Sequence, residues 1–416
     1  MTSRRRISRL RGRWLKEPPL GRVLAVLNET GTTRIAGGAV RNAILGLPVA
    51  EVDLATTLAP TDVIAAAERA GLRAHPTGID HGTVTVVVDG RPFEVTTLRV
   101  DVETFGRKAR VAFTDDWEKD AARRDFTMNA LYCDRDGAIH DPLAGYGDVE
   151  RRRVRFVGRP SDRIAEDHLR ILRFFRFHAQ YGRGSPDADG LSSCVRMRRL
   201  LSKLSAERIR QELWKLLVAP GAVRIVKLMV AKRIAEVVLG RRLDVDSFAA
   251  MARIDAEAKL APDPLLRLEA LTGDALAYRD RLRLTTAEAR RLEAVAGNAA
   301  PSPGLRPVER RVVLYHLGRD AFADAVRLAW ARAGAKPSDR AWRSLLAFGR
   351  RTPLPTFPLK GRDILDLGVA AGPDVGRILK SLEDWWIAAG FSPDRDLLLA
   401  RARSFGVASG VRGESG

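Results

Sequence analysis

The chain has 416 residues, 45% of them hydrophobic, with 71 Lys and Arg against 51 Asp and Glu. The formal charge of +20 disfavours cationic partners and favours a polyanion, nucleic acid ahead of an anionic membrane surface. Cys133 and Cys194 are too few for a disulfide framework or a zinc site, and no apolar run could span a bilayer. We therefore expect a globular cytoplasmic protein of two or three domains, with no membrane partner, in which any catalytic metal is held by carboxylates.

The N-terminus, MTSRRRISRLRGRWLK, is rich in arginine but lacks the apolar core of a secretory signal. Its composition resembles an organellar transit peptide, but Trp14 and Leu15 favour the start of a first packed helix. Up to about residue 150 the chain alternates short apolar runs with Gly, Asp and Pro, as an α/β domain does. Beyond that point the pattern is helical.

The segment GGAVRN, residues 37–42, predicts a phosphate-binding turn at the start of a helix. Gly37 and Gly38 follow an apolar pair, so backbone N–H groups could approach phosphate oxygens without obstruction by a Cβ atom. Arg41 would lie one helical turn further on. The alternative is that the paired glycine marks an ordinary turn.

Glu51 and Asp53 lie two residues apart in the run EVDLAT. In a strand both carboxylates would point to one face. Mg²⁺ is typically bound by one or two carboxylates together with phosphates and water, so this pair is a candidate metal site. A chance pair of exposed acids is the alternative.

A β-hairpin is predicted over residues 83–97, TVTVVVDGRPFEVTT, because Asp-Gly suits a tight type I′ turn. Glu94 then lies on the face opposite Phe93 and Val95. If that face meets the one that carries the E-x-D pair, three carboxylates converge.

Two charged segments follow the hairpin. Residues 101–117, DVETFGRKARVAFTDDW, are weakly periodic and predict a mobile loop near the site or a solvated connection. Residues 120–131, DAARRDFTMNAL, place two arginines, an aspartate and an asparagine beside an apolar strand. They could supply phosphate donors and a group that orients them, although arginine pairs on a helix surface are also common.

Residues 166–177, EDHLRILRFFRF, predict a helix with leucines and arginines at helical spacing. Asp167 lies three residues before Arg170, so the two would share a face. An Arg donor beside an Asp acceptor can satisfy the edge of cytosine or adenine, whereas guanine and uracil place N–H donors where the arginine must donate. A salt-bridged surface helix is the alternative.

A resemblance to the class II CCA-adding tRNA nucleotidyltransferases, which share a polymerase-β type of head with bacterial poly(A) polymerases, rests on motifs in a fixed order. They are GGAVRN, EVDLAT, HGTVTV with FEVTTLR, RRDFTMNAL, DPLAGYGD, EDHLRILRFFRF and LSAERIRQELWKLL, from about Arg34 to Leu217. A weaker resemblance covers PLKGRDILDLGVAAGPDVGRILKSLEDWW in the C-terminal region.

The resemblance implies an α+β fold with a polymerase-β-like nucleotidyltransferase head over residues 1–150. An all-α remainder would follow, with a neck that carries the nucleotide-templating helix (151–218), a body (219–300) and a tRNA-binding tail (301–416). Prolines predict helix breaks near 262–264, 301–303 and 353–358. The implied activity is the addition of C, C and A to the tRNA 3′ end from CTP and ATP, with Mg²⁺ and without a nucleic-acid template.

The resemblance also implies a role for each candidate residue. The catalytic set would be Glu51 and Asp53 as Mg²⁺ ligands, with Glu94 near the attacking 3′-hydroxyl. The nucleotide-binding set would be Gly38 and Arg41 on the triphosphate, Arg124 on the nucleotide, Asp167 and Arg170 on the base edge, and Arg173 and Arg176 supporting the template helix and phosphates. Residues 101–116 match the flexible loop with which the family switches from C to A.

Two residues depart from the family pattern. Glu51 stands where the first metal ligand is usually Asp, which moves the carboxylate outward by roughly one C–C bond length. Asn42 ends the arginine motif where Asp is more common, and an amide cannot balance the charge of Arg41. Glu51 leaves a noncatalytic RNA-binding relative open, and an adenylation-only enzyme, either a poly(A) polymerase or an A-adding specialist, is a second alternative.

Overall fold

The computed structural model describes residues 9–105, 108–297 and 300–410. The chain forms two compact units, Met1–Leu243 and Asp244–Gly416. The prediction of four domains is a finer division than these two units and stays a prediction. No described helix is long and apolar enough to cross a membrane.

The first unit combines strands with helices. The strands are β1 (Thr33–Ala36), β2 (Asp53–Thr56), β3 (Arg73–Gly78), β4 (Thr83–Val88), β5 (Arg91–Thr97), β6 (Arg99–Phe105), β7 (Lys108–Phe113), β8 (Tyr132–Cys133) and β9 (Ile139–His140). The helices are α1 (Pro18–Leu27), α2 (Gly38–Ile44), α3 (Pro60–Arg69), α4 (Trp117–Ala122), α5 (Tyr146–Glu150), α6 (Pro160–Glu166), α7 (Leu169–Tyr181), α8 (Ala188–Met197), α9 (Ala206–Leu217), α10 (Ala222–Ala231) and α11 (Ile234–Leu239).

Seven of the described strands form one sheet in the order β3-β4-β5-β2-β1-β8-β9. Strand β1 pairs antiparallel with β2 and with β8, whereas β2 and β5 run parallel. The parallel pair aligns Leu54 with Val95, so the preceding residues, Asp53 and Glu94, lie side by side on neighbouring strands. This register brings two predicted catalytic acids together on adjacent strands in the middle of the sheet.

The predicted hairpin is confirmed. Strands β4 and β5 pair from Val88 and Arg91 outward, and the two turn residues, Asp89 and Gly90, have φ angles of 51° and 79°. Both positive values belong to a type I′ turn, which Asp-Gly favours. Glu94 is exposed between buried neighbours, as the alternation of the strand requires.

The predicted loop over residues 101–116 is wrong as a description of secondary structure. Strands β6 and β7 pair antiparallel there, from Arg99 opposite Phe113 to Phe105 opposite Lys108. Residues 106 and 107 lie outside the described residues. The hydrophobic pattern of the sequence did not indicate these strands. They form a two-stranded ribbon outside the main sheet, and their charged residues leave no alternation of apolar and polar side chains.

The N-terminal segment begins with a short 3₁₀ helix, Arg13–Lys16, in which Leu15 is buried. The first α-helix begins only at Pro18, because proline suits the first helical turn. The predicted packing near Trp14 and Leu15 is therefore present, but as a 3₁₀ turn.

Helix α7 presents one face to the core of the first unit. Ile171, Phe174 and Phe175 are fully buried, and Phe174 stacks on Phe156 with ring centroids 5.4 Å apart. The helix packs against α9 and α10. The arginines of the predicted helix fall between buried residues in the sequence and are themselves only partly buried.

The regular secondary structure of the second unit is entirely helical in its described residues. Its helices are α12 (Val245–Glu257), α13 (Pro264–Thr272), α14 (Thr286–Ala296), α15 (Pro307–Arg332), α16 (Arg340–Arg351), α17 (Gly361–Leu365), α18 (Pro373–Ala388) and α19 (Arg395–Gly410). The predicted proline breaks all fall between helices. At the first break Asp263 caps α13 by accepting from the N–H groups of Leu265 and Leu266, with Pro264 at the first helical position.

Two apolar clusters hold the second unit together. One includes the buried ring of Trp330, stacked on Trp342 with ring centroids 6.2 Å apart. The other gathers around Trp386, whose ring meets Tyr315 and Phe391 edge-on. The unit thus has its own hydrophobic core.

Candidate active site

An open cleft of about 550 Å³ lies in the first unit where the sequence motifs come together. It is lined by Gly37, Gly38, Arg41, Arg99, Arg123, Arg124, Asp125, Asn129, Asp167, Arg170, Arg173 and Phe177. Arginine is the commonest lining residue, so the cleft is suited to a polyanionic ligand.

Gly37 connects β1 to α2 in a conformation that favours glycine. Its φ is 57°, and its N–H donates to the carbonyl of Leu131 at 2.9 Å. A Cβ atom there would lie 3.1 Å from Nη1 of Arg124 and 3.3 Å from the carbonyl oxygen of Asn129. At Gly38 a Cβ atom would meet only Nη2 of Arg41, at an ordinary 3.8 Å. The helix start predicted at the paired glycine is confirmed. Of the two glycines, Gly37 is the one at which a Cβ atom would crowd neighbouring atoms of the protein.

Arg41 is buried and held on several sides. Its Nη2 donates to the hydroxyl of Tyr181 at 2.8 Å and to Oδ1 of Asn42 at 2.9 Å, and its Nη1 donates to Oδ1 of Asn129. The guanidinium also lies over the ring of Tyr181, 4.1 Å from its centroid. Burial lowers the pKa of Arg41, and the interactions with Tyr181 and the nearby Asp125 oppose this effect. Asn42 thus orients the arginine without neutralising it, which leaves the charge available to an anion.

Asp120 organises the arginine pair of the RRDFT motif. This carboxylate is almost completely buried and accepts from Nη2 of Arg123 at 2.6 Å, from Nη2 of Arg124 at 3.0 Å and from the hydroxyl of Tyr132 at 2.7 Å. Burial alone would raise the pKa of Asp120, but Arg124 and Arg123 lower it. One acid therefore positions both arginines at the cleft wall.

Asp125 links this motif to α7. Its Oδ1 accepts from Nδ2 of Asn129 at 2.9 Å, and its Oδ2 accepts from Nε and Nη2 of Arg173 at 2.8 and 2.6 Å. Against its burial, Arg173 and Asn129 lower the pKa of Asp125. Because Asn129 also accepts from Arg41, a continuous hydrogen-bonded chain connects α2 to α7.

The predicted carboxylates lie beside the cleft and are not part of its lining. Glu51 and Asp53 are exposed on either side of buried Val52, but β2 begins only at Asp53, so Glu51 lies outside the strand and their shared face stays a prediction. Partial desolvation, then repulsion by Glu94 and Glu51, raises the pKa of Asp53, and Arg124 opposes the rise. All three acids are therefore close enough for their charges to interact, and Asp53 interacts with an arginine of the cleft.

These acids fit a metal site that is completed by a substrate. Among the described residues no group of three or more His, Cys, Asp or Glu is placed to hold a metal ion by itself. Desolvation and then repulsion by Glu94 and Glu51 raise the pKa of Asp53, and a bound cation would favour its charged form against both effects. Hard oxygen ligands from two carboxylates, with further oxygens from phosphates, suit a divalent ion.

Asp167 and Arg170 both line the cleft, but the prediction that they share a helix face is wrong. Asp167 has an extended backbone, with φ −148°, in the junction between α6 and α7, and α7 begins at Leu169. Asp167 accepts from Nη2 of Arg208 at 2.7 Å, whereas Arg170 donates from Nη2 to the carbonyl of Arg123 at 3.1 Å. The helix starts later than its spacing suggests because Oδ1 of Asp167 caps the N–H of Leu169.

Arg173 and Arg176 both bind the buried carboxylate of Glu212 on α9. Arg173 also lines the cleft, whereas Arg176 does not. The guanidinium of Arg176 lies 4.1 Å from the ring centroid of Phe177. Arg176 therefore contributes to the packing of α7 on α9. The predicted support of the helix is consistent with these contacts, and a phosphate contact by Arg176 remains a prediction.

Several residues of this site were not singled out from the sequence. They are Asp120, Tyr132, Tyr181, Arg208 and Glu212. Asp120 carried a usable signal, because it lies three and four residues before the arginine pair at the end of a short helix. Tyr181, which is 140 residues from Arg41, carried none.

Comparison with known proteins places the chain in a family. Residues 33–155 match a family model described as "Poly A polymerase head domain", and residues 187–243 match "Probable RNA and SrmB- binding site of polymerase A". CCA tRNA nucleotidyltransferase 1, mitochondrial, of Mus musculus is 33% identical over 390 residues, which cover 89% of this chain and 86% of that protein. The chain belongs to the CCA tRNA nucleotidyltransferase family.

The chain is accordingly a nucleotidyltransferase, and the family implies the use of a divalent metal ion. The CCA-adding enzyme of Geobacillus stearothermophilus is 37% identical over 220 residues, 51% of this chain and 53% of that protein. A crystal structure of the Bacillus stearothermophilus CCA-adding enzyme in complex with CTP matches with a TM-score of 0.73 and 27% identity, covering 95% of this chain and 99% of that one. The predicted family and the α+β fold with its sheet-containing head are both confirmed.

Proposed function

We propose that this member of the family adds C, C and A to the 3′ end of tRNA from CTP and ATP, by Mg²⁺-dependent in-line nucleotidyl transfer without a nucleic-acid template. The observation that most supports the proposal is that one cleft is lined both by Arg41 and Arg124 and by Asp167 and Arg170. A nucleoside triphosphate needs both kinds of group, cations for its phosphates and paired donors and acceptors for its base.

The phosphate end of the cleft has spare binding capacity. Among the described residues, the buried Nε of Arg124 has no hydrogen-bond partner. An unsatisfied buried donor is costly, and a phosphate oxygen would satisfy it. Burial lowers the pKa of Arg41, so an adjacent anion would be favoured there as well.

The base end of the cleft presents an acceptor and a donor on different elements. Asp167 supplies carboxylate oxygens from the α6–α7 junction, and Arg170 supplies a guanidinium from the first turn of α7. Cytosine and adenine can pair with this combination, whereas guanine and uracil would leave buried N–H groups unpaired. The selection of both C and A by one site follows from this chemistry.

The chemical step needs no side-chain nucleophile. The terminal 3′-hydroxyl of tRNA loses its proton to solvent water, its oxygen bonds to the α-phosphorus, the bond from that phosphorus to the bridging oxygen breaks, and pyrophosphate leaves. Glu51 and Asp53 would hold Mg²⁺, and Glu94 would stand near the attacking hydroxyl. A bound Mg²⁺ ion supplies Lewis acidity that lowers the pKa of the hydroxyl and neutralises charge on the phosphates. Arg41 and Arg124 offset the charge that develops on the leaving group.

The proposal includes the domain roles expected from the sequence. The head (1–150) would carry catalysis, the neck (151–218) would template the base, and the body and tail (219–300 and 301–416) would grip tRNA. The cytoplasmic location is also proposed on composition alone. The Mus musculus relative carries the word mitochondrial in its name, so fractionation of cells that express the tagged chain is the relevant measurement.

Incubation with a tRNA that lacks its last three nucleotides tests the proposal. With Mg²⁺ and each labelled triphosphate, we expect incorporation of CTP, then of ATP, followed by arrest. Long A tracts would instead support a poly(A) polymerase, A addition only to a tRNA ending in CC would support an A-adding specialist, and no incorporation would support a noncatalytic relative.

Asp53→Asn tests the metal role within this assay. We expect incorporation to fall at least about 1000-fold while tRNA binding stays nearly unchanged, because the exchange removes a charged metal ligand and keeps the size of the side chain. The matched control is Asp62→Asn, which alters an exposed aspartate on α3. Substantial turnover by the Asp53 variant would refute the role.

A further inference from the structure

A second basic pocket lies at the N-terminal segment, whose backbone is fixed to the sheet-containing head. The N–H of Leu10 donates to the carbonyl of Gly137 at 2.8 Å, and Arg9 pairs with Asp136 at 2.8 Å. Gly137 has φ 87°, and a Cβ atom there would lie 2.2 Å from the carbonyl oxygen of Leu10. Glycine therefore permits the close approach of the two backbones. The described part of this segment, from residue 9 onward, is thus docked on the β8–β9 turn.

The pocket encloses about 600 Å³ and has an excess of positive charge. It is lined by Leu10, Arg11, Gly12, Arg13, Leu15, Lys16, Arg135 and Asp136. Its one acid, Asp136, is engaged by Arg9. In the part of the chain that the structure describes, no hydrogen bond or salt bridge is made by the side chains of Arg11, Arg13, Lys16 and Arg135. The lining therefore holds cations whose charge no acid among the described residues neutralises.

The pocket is separate from the nucleotide cleft. Strand β8 runs antiparallel to β1, with Tyr132 opposite Ala36 and Cys133 opposite Ile35. Gly37, which follows Ala36, lines the cleft, so the β8–β9 turn lies at the other end of β1. At about 3.3 Å per residue, the length of β1 separates the two sites by roughly 13 Å along the strand. The pocket is thus near the cleft without being part of it.

We propose that this basic pocket binds phosphates of an RNA backbone, so that an RNA whose 3′ end enters the cleft is held at a second point on the head. Guanidinium groups bind phosphate through paired N–H donors, and Lys16 adds a point charge. The lining residues include no aromatic ring on which a base could stack, so the site suits the backbone. The choice of tRNA as the RNA rests on the proposed function.

A membrane surface fits the pocket less well than RNA does. Binding to a bilayer interface uses apolar side chains beside the cations. Among the described residues, the large exposed hydrophobic side chains are Ile79, Phe113, Val308, Leu354, Leu365 and Leu397, and none of them lines the pocket.

The test is a variant that removes the charges, Arg11→Gln, Arg13→Gln, Lys16→Gln and Arg135→Gln together. Fluorescence anisotropy with a tRNA lacking its CCA end, and without nucleotides, gives the dissociation constant over a range of salt. If two or three phosphate contacts are lost, the slope of log K against log salt falls by about 2, and affinity at low salt drops at least about tenfold. The incorporation rate at saturating tRNA stays unchanged, because none of the four residues lines the cleft.

The matched control removes the same charge from exposed positions of the same unit that lie outside the body and the cleft: Arg69→Gln, Arg73→Gln, Arg159→Gln and Lys119→Gln. Its tRNA affinity is expected to stay within about twofold of the wild type. An equal loss in the control, or wild-type affinity and slope in the pocket variant, overturns the proposal. The proposal is also overturned if the pocket variant loses binding to phosphatidylserine vesicles but keeps its binding to tRNA.

Two further readouts keep the test decisive. A thermal melt checks that the variant is folded, and the double variant Arg11→Gln/Arg13→Gln replaces it if it is not. Because binding is measured without nucleotides, a wild-type protein that incorporates nothing would contradict the proposed function and leave the RNA site supported by the loss of affinity.

Discussion

At the scale of the residue, the geometry of the cleft depends on buried carboxylates that hold arginines in place. Asp120 orients Arg123 and Arg124, and Asp125 orients Arg173. Arginine side chains have many rotamers, so fixing them before the ligand arrives reduces the entropy lost on binding. These acids therefore contribute to binding by positioning the cations.

Replacing Asp120 by Asn should destabilise the protein and weaken nucleotide binding. The amide keeps one acceptor but loses the charge, so two arginines are left beside a neutral group at a cost of about 3 kcal/mol in the free energy of unfolding. Denaturant unfolding and triphosphate titration measure both effects. The control Tyr132→Phe removes a single donor to Asp120 and should cost about 1 kcal/mol. Equal effects of the two variants would show that the charge of Asp120 is unimportant.

Replacing Glu51 by Asp should preserve or raise nucleotide incorporation if residue 51 binds the metal. The shorter side chain restores the ligand usual in the family, and it keeps the negative charge that acts on Asp53. Rates measured over a Mg²⁺ titration give the result, with Glu51→Gln as the variant that should lose activity at every metal concentration. A collapse of activity in the Asp variant would mean that the site is arranged differently.

At the scale of the element, the base-reading groups depend on contacts between helices. Asp167 is tied to Arg208 of α9, and Arg173 and Arg176 of α7 both bind Glu212 of α9. Helix α9 therefore positions the junction where α7 begins. A sequence reading of residues 166–177 by themselves cannot include this neighbour.

Arg208→Gln should relax base choice, because Asp167 would lose the cation that fixes its carboxylate. We expect the preference for CTP and ATP over UTP and GTP, as a ratio of kcat/KM, to fall by about tenfold, which corresponds to about 1.4 kcal/mol. The control on the same helix is the exposed Lys215→Gln, which removes an equal charge. Unchanged discrimination in the Arg208 variant would argue against a positioning role for α9.

At the scale of the whole molecule, the charge of +20 is the property most relevant to RNA binding. Many arginines of the second unit are used internally: Arg291, for example, donates to Asp324 and Asp263. The positive charge that exceeds these internal pairs is what remains available to bind phosphates. Each phosphate contact releases counterions, so binding should depend steeply on salt.

The affinity for tRNA should fall by roughly 100-fold between about 50 and 200 mM monovalent salt if about four phosphates are contacted. Equilibrium binding at several salt concentrations measures the slope. The triphosphate alone, bound in the cleft, serves as the comparison and should show a shallower dependence. A salt-independent affinity for tRNA would contradict recognition through the phosphate backbone.

The local features of this protein were determined by its sequence alone. The hairpin at Asp89-Gly90, the helix start at the paired glycine and the helix breaks at proline each depend on neighbouring residues. Turn chemistry and the periods of two and 3.6 residues are enough to specify them. The order of the motifs was also enough to indicate the family, which the comparisons confirm.

Only the tertiary structure decided which groups meet. Asn129 and Tyr181, which bind Arg41, are 88 and 140 residues away in the chain, and Arg208 is 41 residues from Asp167. It also showed β6 and β7 where a loop was expected and placed Asp167 before its helix. The physical reason is that such contacts depend on sheet register and helix packing, which are set by burial over the whole unit and leave no periodic signal at the residues themselves.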